Sequence, residues 1–249
     1  MKKVLFTLLA AILTLTGSIA AQPRLVIAVT GGYNLPLPPL KGTIDSVNSE
    51  LGESYFVKTG YNLGLSGKYA LDKKGRVRVT FGGSYNKFSG EETYSHTNDV
   101  RLHTTMGIIS ANLGAEYSFT PREKTAPFIG LDLTGNFLSG KSEETVTIPT
   151  TADHNDPGTT TTNLKSASRF GLAVGGGVDV AFNKSIGAVF GAKYHFANLI
   201  GKEYIATSSA GEYNLNDKEN GSLKAKNIMY FQLYLGVTFY FNQQKKPRY

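Results

Sequence analysis

Few side chains in this 249-residue chain could do acid–base or metal chemistry, and no catalytic motif joins them. Cysteine is absent, which excludes cysteine-based metal, redox and nucleophilic chemistry. The four histidines, His96, His103, His154 and His195, lie outside any HExxH motif, and the chain has no GxSxG elbow and no GxxxxGK loop. His154 in ADHND resembles a metal cluster only superficially, since neighbouring residues of an irregular loop lack defined ligand geometry. The sequence therefore predicts no catalytic residue, no cofactor and no metal.

Charged residues form a second group, because they occur inside segments that otherwise alternate apolar with small or polar residues. Three cations and three anions fall on the small-residue face at one end of these segments: Lys68, Arg76, Arg78, Glu116, Asp132 and Asp179. An unpaired charge is costly in a narrow interior, so we expect these groups to pair. The pairs would form either a fixed salt-bridged plug or a gate that exchanges partners to admit small ions.

Basic residues lie on the same face at the opposite end of the segments: Lys58, Arg169, Lys193 and His195. No acidic residue accompanies them in the alternating segments. We therefore expect this end to favour anions, including phosphates if the basic groups reach a rim.

The segments that carry these charges have the two-residue period of half-buried strands. The clearest is Asn227–Phe241, which has apolar residues at every second position from Phe231 and is longer than a membrane-crossing strand of about 9–11 residues. Eight segments share this pattern: Leu25–Asn34, Tyr55–Leu71, Arg76–Phe88, Met106–Phe119, Phe128–Leu138, Ser168–Phe182, Ile186–Leu199 and Asn227–Phe241.

The connections between these segments are alternately long and short. The short ones are Asp72–Gly75, Pro121–Ala126 and Asn183–Ser185, and the long ones are Leu35–Ser54, Ser89–Thr105, Ser139–Ala167 and Ile200–Lys226. This order predicts an all-β, antiparallel up-and-down barrel of eight strands with every long loop at one end. The count becomes ten if either of the last two loops contains another hairpin crossing. The threonine run 159–162 is interpreted as a solvated loop or a hairpin rising above the membrane.

Side-chain volume decides which face points into the barrel. An eight-stranded barrel has an interior just wide enough to be filled by side chains, and one face here is rich in glycine and serine. The bulky apolar face should therefore point outward, towards lipid. Aromatic residues at the two ends of this face predict membrane-boundary girdles: Tyr69, Tyr117, Phe119, Phe182, Phe239 and Phe241 at the short-turn end, and Tyr33, Tyr55, Tyr85, Phe137, Phe170, Tyr194 and Phe196 at the long-loop end.

The N-terminus has the order of a secretory signal peptide. Lys2 and Lys3 precede an apolar run that ends in small residues, which predicts cleavage after Ala20 or Ala21; a retained membrane anchor is the alternative. The expected organisation is a signal peptide at 1–21, a barrel at 22–242 and a basic tail at 243–249.

The formal charge of +7 falls to about +5 without the first two lysines. No block of Lys and Arg with interleaved aromatics indicates nucleic-acid binding.

The strand and loop pattern over about 22–242 resembles the small outer-membrane barrels typified by the transmembrane domain of outer-membrane protein A, which include porin-family and opacity-like proteins. In that family the aromatic end of the last strand is read by the barrel-assembly machinery, and Phe239 and Phe241 resemble that signal. Family members often stop at the final aromatic, whereas here the residues 242–249 follow it. The resemblance implies the outer membrane of a Gram-negative bacterium, with both termini in the periplasm.

Three functional hypotheses follow. The leading one is a non-enzymatic outer-membrane barrel with a structural or surface-interaction role, at most narrow ion permeation, and contacts to lipid, lipopolysaccharide, the assembly machinery and an unidentified loop ligand. The second is an exported lipocalin-like carrier, which would have its apolar face inside. The third is a lipid-A-modifying barrel enzyme in which His103, near the top of a strand, activates a nearby serine.

Overall fold

The computed structural model describes residues 22–42, 54–95, 99–147, 158–207, 209–221 and 224–244. The predicted signal peptide lies outside these residues, and so do His96, His154 and the last five residues of the predicted tail. Within the described ranges, no helix is long and apolar enough to cross a membrane.

The described residues form nine β-strands, eight of which close into a barrel. Their bounds are β1 Gln22–Pro36, β2 Thr59–Ala70, β3 Val77–Ser95, β4 Asp99–Ser118, β5 Thr125–Thr147, β6 Gly158–Ala181, β7 Ile186–Ile200, β8 Glu212–Tyr213 and β9 Met229–Gln244. Each barrel strand pairs antiparallel with its chain neighbours, and β1 pairs with β9 to close the ring. The two-residue β8 adds in parallel to β6. The prediction of an eight-stranded up-and-down barrel is confirmed.

The two ends of the barrel differ, as the connection lengths predict. We call the end with the short β2–β3, β4–β5 and β6–β7 connections the turn end, and the opposite end the loop end. The first residue of β1 pairs with the last residue of β9 at Gln22 and Gln244, so the described chain begins and ends at the turn end.

The bulky apolar face points outward. Leu63 and Leu235 are 62% and 64% exposed, whereas Asp179 on the other face is 5% exposed and Gly64 is half-buried. This arrangement is the opposite of what a carrier of apolar ligands requires, because such a carrier keeps its apolar residues inside. Inward glycines let the strands and inner side chains approach closely: a Cβ at Gly114 would lie 2.2 Å from the Leu131 carbonyl oxygen.

Two of the predicted long loops are mainly strand. β3 and β4 continue to Ser95 and from Asp99, and β5 and β6 continue to Thr147 and from Gly158. The polar residues there are rich in threonine, which favours strands, but both faces of the sheet meet water, so the apolar alternation that marks a membrane strand disappears. The predicted extents of Ser89–Thr105 and Ser139–Ala167 as loops are therefore wrong. We call the four-stranded extension at 89–95, 99–105, 141–147 and 158–163 the raised sheet.

Two aromatic residues of the predicted loop-end girdle do not lie on the open outer face. Tyr55 is 6% exposed and packs inside the barrel mouth with Val57, because β2 begins only at Thr59. Phe56 between them has a φ of 54°, which interrupts the extended geometry on which the alternation depends. Phe196 is half-buried and lies beneath Lys202. The other eleven predicted girdle residues are exposed.

Candidate functional site

The lumen at the turn end is crossed by four buried charges of alternating sign. Lys68 Nζ lies 3.1 Å from Glu116 Oε2 and 3.0 Å from Asp179 Oδ1. Arg78 Nη1 lies 3.0 Å from Asp179 Oδ2, and its Nη2 contacts Glu116 Oε1. Each cation therefore contacts both anions, which offsets the cost of removing the four groups from water. We call these four residues the charge ring.

Strand register brings the charge ring together. Arg78 on β3 is directly opposite Glu116 on β4, while Lys68 comes from β2 and Asp179 from β6 across the barrel. Phe128 of β5 fills the space beside them, with its ring centroid 3.8 Å from Lys68 Nζ. The arrangement fixes both cations from two sides and places paired charges and an aromatic ring inside the lumen at this level.

Two predicted members of this network lie elsewhere. Asp132 accepts hydrogen bonds from Thr80 at 2.5 Å and from Lys193 at 2.6 Å, so it belongs to the next level of the lumen. Arg76 is exposed, because it precedes Val77, the first residue of β3, and lies beyond the last paired position of the wall. The placement of Arg76 inside the lumen is wrong.

The expected basic region without acidic partners is also wrong. Lys58 lies 2.9 Å from Glu92, Lys193 pairs with Asp132, and Arg169 pairs with Asp217. Two of these acids lie outside the alternating segments, because Glu92 is in the raised sheet and Asp217 is in the β7–β9 loop. With carboxylates beside all three cations, the loop end has no special preference for anions at these positions.

The fourth predicted basic residue, His195, is buried, and its hydrogen bond and ring contact are with uncharged groups. Its Nε2 lies 2.9 Å from Gln232 Oε1, and its ring stacks on Tyr230 with centroids 4.4 Å apart and planes 8° apart. The hydrogen bond to Gln232 and the stacking on Tyr230 stabilise the His195 ring on the inner face.

Asp217 fastens the β7–β9 loop over the barrel mouth. Its carboxylate, which is fully buried, accepts hydrogen bonds from Arg169 Nε and Nη2, both at 3.0 Å, from Asn198 at 2.8 Å and from the Glu203 amide at 3.1 Å. Burial by itself would raise the pKa of Asp217, but the hydrogen bonds from Arg169 and Asn198 outweigh it and hold this pKa below 3.8. We call Asp217 and Arg169 the latch.

An apolar plug fills the mouth beneath the latch. Leu215 and Ile228 of the β7–β9 loop meet Leu40 and Val57 of the β1–β2 connection. They pack on inward residues of the barrel wall: Phe88, Met106, Ile108, Leu138 and Tyr230. Tyr55 donates a hydrogen bond to the Leu215 carbonyl oxygen at 3.2 Å, which ties the two connections together. Two loops thus close the loop end from within.

Polar side chains line the space between the plug and the charge ring. Asn62 donates to Asn34 at 3.2 Å, Asn34 donates to Asn86 at 3.0 Å, and Ser110 donates to Asn136 at 2.7 Å. A cavity of about 80 Å³ remains at this level, lined by charged and hydroxyl groups of both ends. Apolar residues such as Ala28 and Val189 also line the cavity, which is large enough for several water molecules but too small for an organic substrate.

The sequence-based prediction did not include the plug, the inward asparagines or the latch. The plug and the asparagines are nevertheless recognisable in the sequence. Near the loop end the chain has apolar residues on both faces, as in Ile108–Ile109 and Phe137–Leu138, which indicates a covered interior. Asparagine recurs at inward positions of β1, β2, β3 and β5. Asp217 left no signal, because an irregular loop has no period from which its orientation can be read.

Among the described side chains, His103 has no complete catalytic arrangement around it. Its Nε2 lies 3.3 Å from Thr105 Oγ1, but its Nδ1 is 3.8 Å from Glu91 Oε2, too far for a hydrogen bond, and Arg101 binds the same carboxylate. Among the described residues, no group of three or more His, Cys, Asp or Glu is arranged to hold a metal ion.

The chain also matches a known family. The sequence profile of a family described as "Outer membrane protein beta-barrel domain" matches residues 7–216. The chain belongs to this outer-membrane β-barrel family. Its place is therefore the bacterial outer membrane, where the exposed apolar band contacts lipid.

Solved structures with similar folds include three small outer-membrane proteins. Neisserial surface protein A has 15% identity and a TM-score of 0.44, covering 88% of this chain and 97% of its own. The N-terminal barrel domain of OprF from Pseudomonas aeruginosa has 14% identity and a TM-score of 0.34, covering 89% and 99%. Ail, the attachment invasion locus protein of Yersinia pestis, has 13% identity and a TM-score of 0.35, covering 89% and 100%. No curated protein sequence matches the chain.

Proposed function

We propose that this protein is a non-enzymatic outer-membrane barrel that displays the raised sheet and its loops for interaction at the cell surface. The observation that carries the proposal is that β3, β4, β5 and β6 continue together well past the loop-end aromatic residues Tyr85 and Phe137. A barrel with a purely structural task needs only the residues that cross the bilayer, so the extension has to be explained by what lies outside it.

The raised sheet offers polar side chains and, among the described residues, a β3 edge that has no neighbouring strand beyond Glu91, whose carbonyl oxygen accepts a hydrogen bond from Lys58 Nζ at 2.8 Å. Glu91, His103, Glu143 and Thr161 form one row across its four strands. The β2–β3 ladder ends at Ser89, whereas the β3–β4 ladder continues to Ser95, so the outer edge of β3 extends beyond its β2 neighbour. Such an edge can accept an added strand from a partner, and the side-chain rows would supply selectivity.

The proposed orientation places the turn end and both termini in the periplasm, with the raised sheet outside. Short periplasmic turns and longer external loops are the rule for outer-membrane barrels. The partners would be lipopolysaccharide at the outer rim, the assembly machinery through Phe239 and Phe241, and an unidentified ligand of the raised sheet. Both phenylalanines lie outward on β9, where a membrane-embedded receptor can reach them.

Permeation through the lumen would be very limited. The charge ring and the apolar plug close it at two levels, and an ion would have to displace Lys68 or Arg78 from two carboxylates to pass. We expect planar-bilayer recordings to show a closed state with rare, small openings. A steady conductance of porin size would contradict this part of the proposal.

Protease shaving of intact cells tests the surface display. A cleavage site inserted in the 148–157 connection of the raised sheet should be cut, and the same site inserted at Lys73–Lys74 should be cut only after the outer membrane is opened. The barrel core should keep its heat-modifiable gel mobility in both variants. Cleavage at Lys73–Lys74 in intact cells would show the opposite orientation.

The lipid-A-modifying enzyme remains an alternative with one supporting contact, between His103 and Thr105. Mass spectrometry of lipid A from cells with and without the protein separates the two proposals. An unchanged profile is expected, whereas a change that disappears in His103→Ala and Thr105→Ala variants would establish the enzyme.

A further inference from the structure

The turn end of the barrel carries a strong excess of positive charge. Seven exposed basic residues lie there in the described chain: Arg24, Lys73, Lys74, Arg76, Arg122, Lys124 and Lys184. The acidic residues of the same turns are Asp72 and Glu123. We call the six basic residues of the three turns, without Arg24, the turn-end collar.

Among the described residues, no ion pair neutralises the turn-end collar. The ion pairs found in the described ranges lie in the lumen and at the loop end, and none of them includes a collar residue. Asp72 accepts hydrogen bonds from the backbone amides of Lys74 at 3.2 Å and Val77 at 3.0 Å, so its carboxylate holds the turn. At the loop end, by contrast, Arg101 and Lys141 pair with glutamates.

Backbone contacts hold the collar residues in a continuous arc. The Ser118 amide donates to the Arg76 carbonyl at 2.7 Å, and the Ala181 amide donates to the Lys124 carbonyl at 2.7 Å. Arg122 Nη2 donates to the Lys73 carbonyl at 3.4 Å. The collar residues therefore follow the perimeter of the barrel from β2 to β7.

The arc lies next to the lipid-facing band. Tyr69, Tyr117, Phe119 and Phe182 are exposed on the outer face, a few residues from the collar, at positions typical of a membrane boundary. Long basic side chains in this position lay their stems along apolar surface and place their charges among the lipid headgroups. An anionic lipid surface attracts them, whereas a zwitterionic surface does so weakly.

We propose that the turn-end collar binds anionic phospholipid headgroups and so selects these lipids as neighbours of the barrel. The inference rests on the proposed function only because it requires the chain to span the membrane. In the proposed orientation, the collar contacts the phospholipid leaflet that faces the periplasm. The perimeter arrangement favours many separate headgroups over one compact anion, because the collar residues are spread over three turns between β2 and β7.

Electron spin resonance of spin-labelled lipids tests the inference in reconstituted vesicles of zwitterionic phosphatidylcholine. The spectrum gives the association of labelled phosphatidylglycerol with the barrel relative to labelled phosphatidylcholine. Two collar variants, Lys73→Gln/Lys74→Gln/Arg76→Gln and Arg122→Gln/Lys124→Gln/Lys184→Gln, remove three charges each. The matched control, Lys87→Gln/Lys165→Gln/Lys218→Gln, removes three charges at the loop end. Heat-modifiable mobility verifies that each variant is folded.

We expect the wild-type protein to associate more strongly with phosphatidylglycerol than with phosphatidylcholine. Each collar variant should lower the ratio of these two associations by about twofold or more, and added salt should weaken the remaining preference. The loop-end control should keep the wild-type ratio. The inference would be overturned if the wild-type protein and the collar variants showed the same lipid association ratio, or if the loop-end control lowered this ratio as much as the collar variants do. It would also be overturned if the collar bound soluble anionic peptidoglycan fragments but showed no lipid preference. The vesicles are symmetric, so the result does not depend on orientation, and a failure here leaves the shaving experiment unaffected.

Discussion

Asp217 shows how one side chain from a distant loop completes an interior that the strands leave unfinished. Arg169 on β6 points inward near the loop end, and the strand residues around it supply no carboxylate. The carboxylate comes from a residue 48 positions later in the chain, which also receives the Asn198 amide. Removing one member of a buried pair leaves the other charge uncompensated, which costs more than the pair itself contributes.

Replacing Asp217 with asparagine should release the β7–β9 loop. The variant loses the charge opposite Arg169, and we expect the free energy of local opening to fall by on the order of 3 kcal/mol. Hydrogen exchange of the Lys226 amide, which donates to the Asp217 carbonyl, and of the Ile228 amide would report the opening. Glu203→Gln is the matched control, because Glu203 contacts the same arginine but is half exposed, and its effect should be below about 1 kcal/mol. Similar exchange in both variants would show that the latch does not hold the loop.

Acid should open the same latch. The pKa of Asp217 lies below its ordinary 3.8 in the folded protein, so its contribution to loop stability is complete above about pH 4 and is lost as the pH falls through the lower, folded value. Exchange of the Ile228 amide, corrected for its intrinsic pH dependence, should therefore stay constant from pH 7 to about pH 4 and rise below it. The Asp217→Asn variant should lack this acid-induced rise. A rise between pH 6 and 7 in the wild-type protein would point to a different titrating group.

At the scale of the strand, the two-residue period separates the lipid-facing surface from the filled lumen. Leu113, Leu133 and Leu172 form one row across β4, β5 and β6, while Asp132 beside them points inward to Lys193. The same strands lose this period in the raised sheet, where water replaces lipid and polar residues occupy the outer face. A polar substitution on the outer face of one strand should therefore cost more stability in the apolar band than in the raised sheet.

An arginine on the outer face of β5 should be costly in the membrane. Leu133 is 63% exposed within the apolar band, and Leu133→Arg should destabilise the barrel by about 2–4 kcal/mol. Urea unfolding in lipid vesicles measures the change. Thr161→Arg, on the outer face of the raised sheet, serves as the control and should lie within about 0.5 kcal/mol of wild type. Equal costs at the two positions would mean that the apolar band does not contact lipid.

At the scale of the whole molecule, closure of the ring between the first and last strands removes every free edge within the membrane band. β9 must therefore be in place before the wall is complete, since it pairs with β1 on one side and β7 on the other. The outward aromatic residues at its end, Phe239 and Phe241, lie at the turn end, next to Ile27 and Leu25 of β1.

Removing both terminal aromatics should slow assembly in cells. The Phe239→Ala/Phe241→Ala variant is expected to accumulate less of the heat-modifiable, folded form than wild type, because the proposed assembly signal is gone. Phe190→Ala tests whether loss of any outward phenylalanine suffices, since Phe190 is also exposed, at 56%, but lies on β7. Semi-native gels of outer-membrane fractions after pulse labelling measure the folded fraction. An equal defect in both variants would assign the effect to lost lipid contact and not to a signal.

Periodicity and volume in the sequence were sufficient to predict an antiparallel up-and-down barrel, of eight strands with ten as the alternative, and the outward direction of Leu63 and Leu235. A register error of one residue would turn every side chain of a strand to the other face, so the pattern admits one solution. The partners of Arg169 and Lys58, the exposure of Arg76 and the inward position of Tyr55 were decided only by the tertiary structure. Each depends on where a strand begins or on a residue in a loop or polar extension, where no apolar period records which way a side chain points.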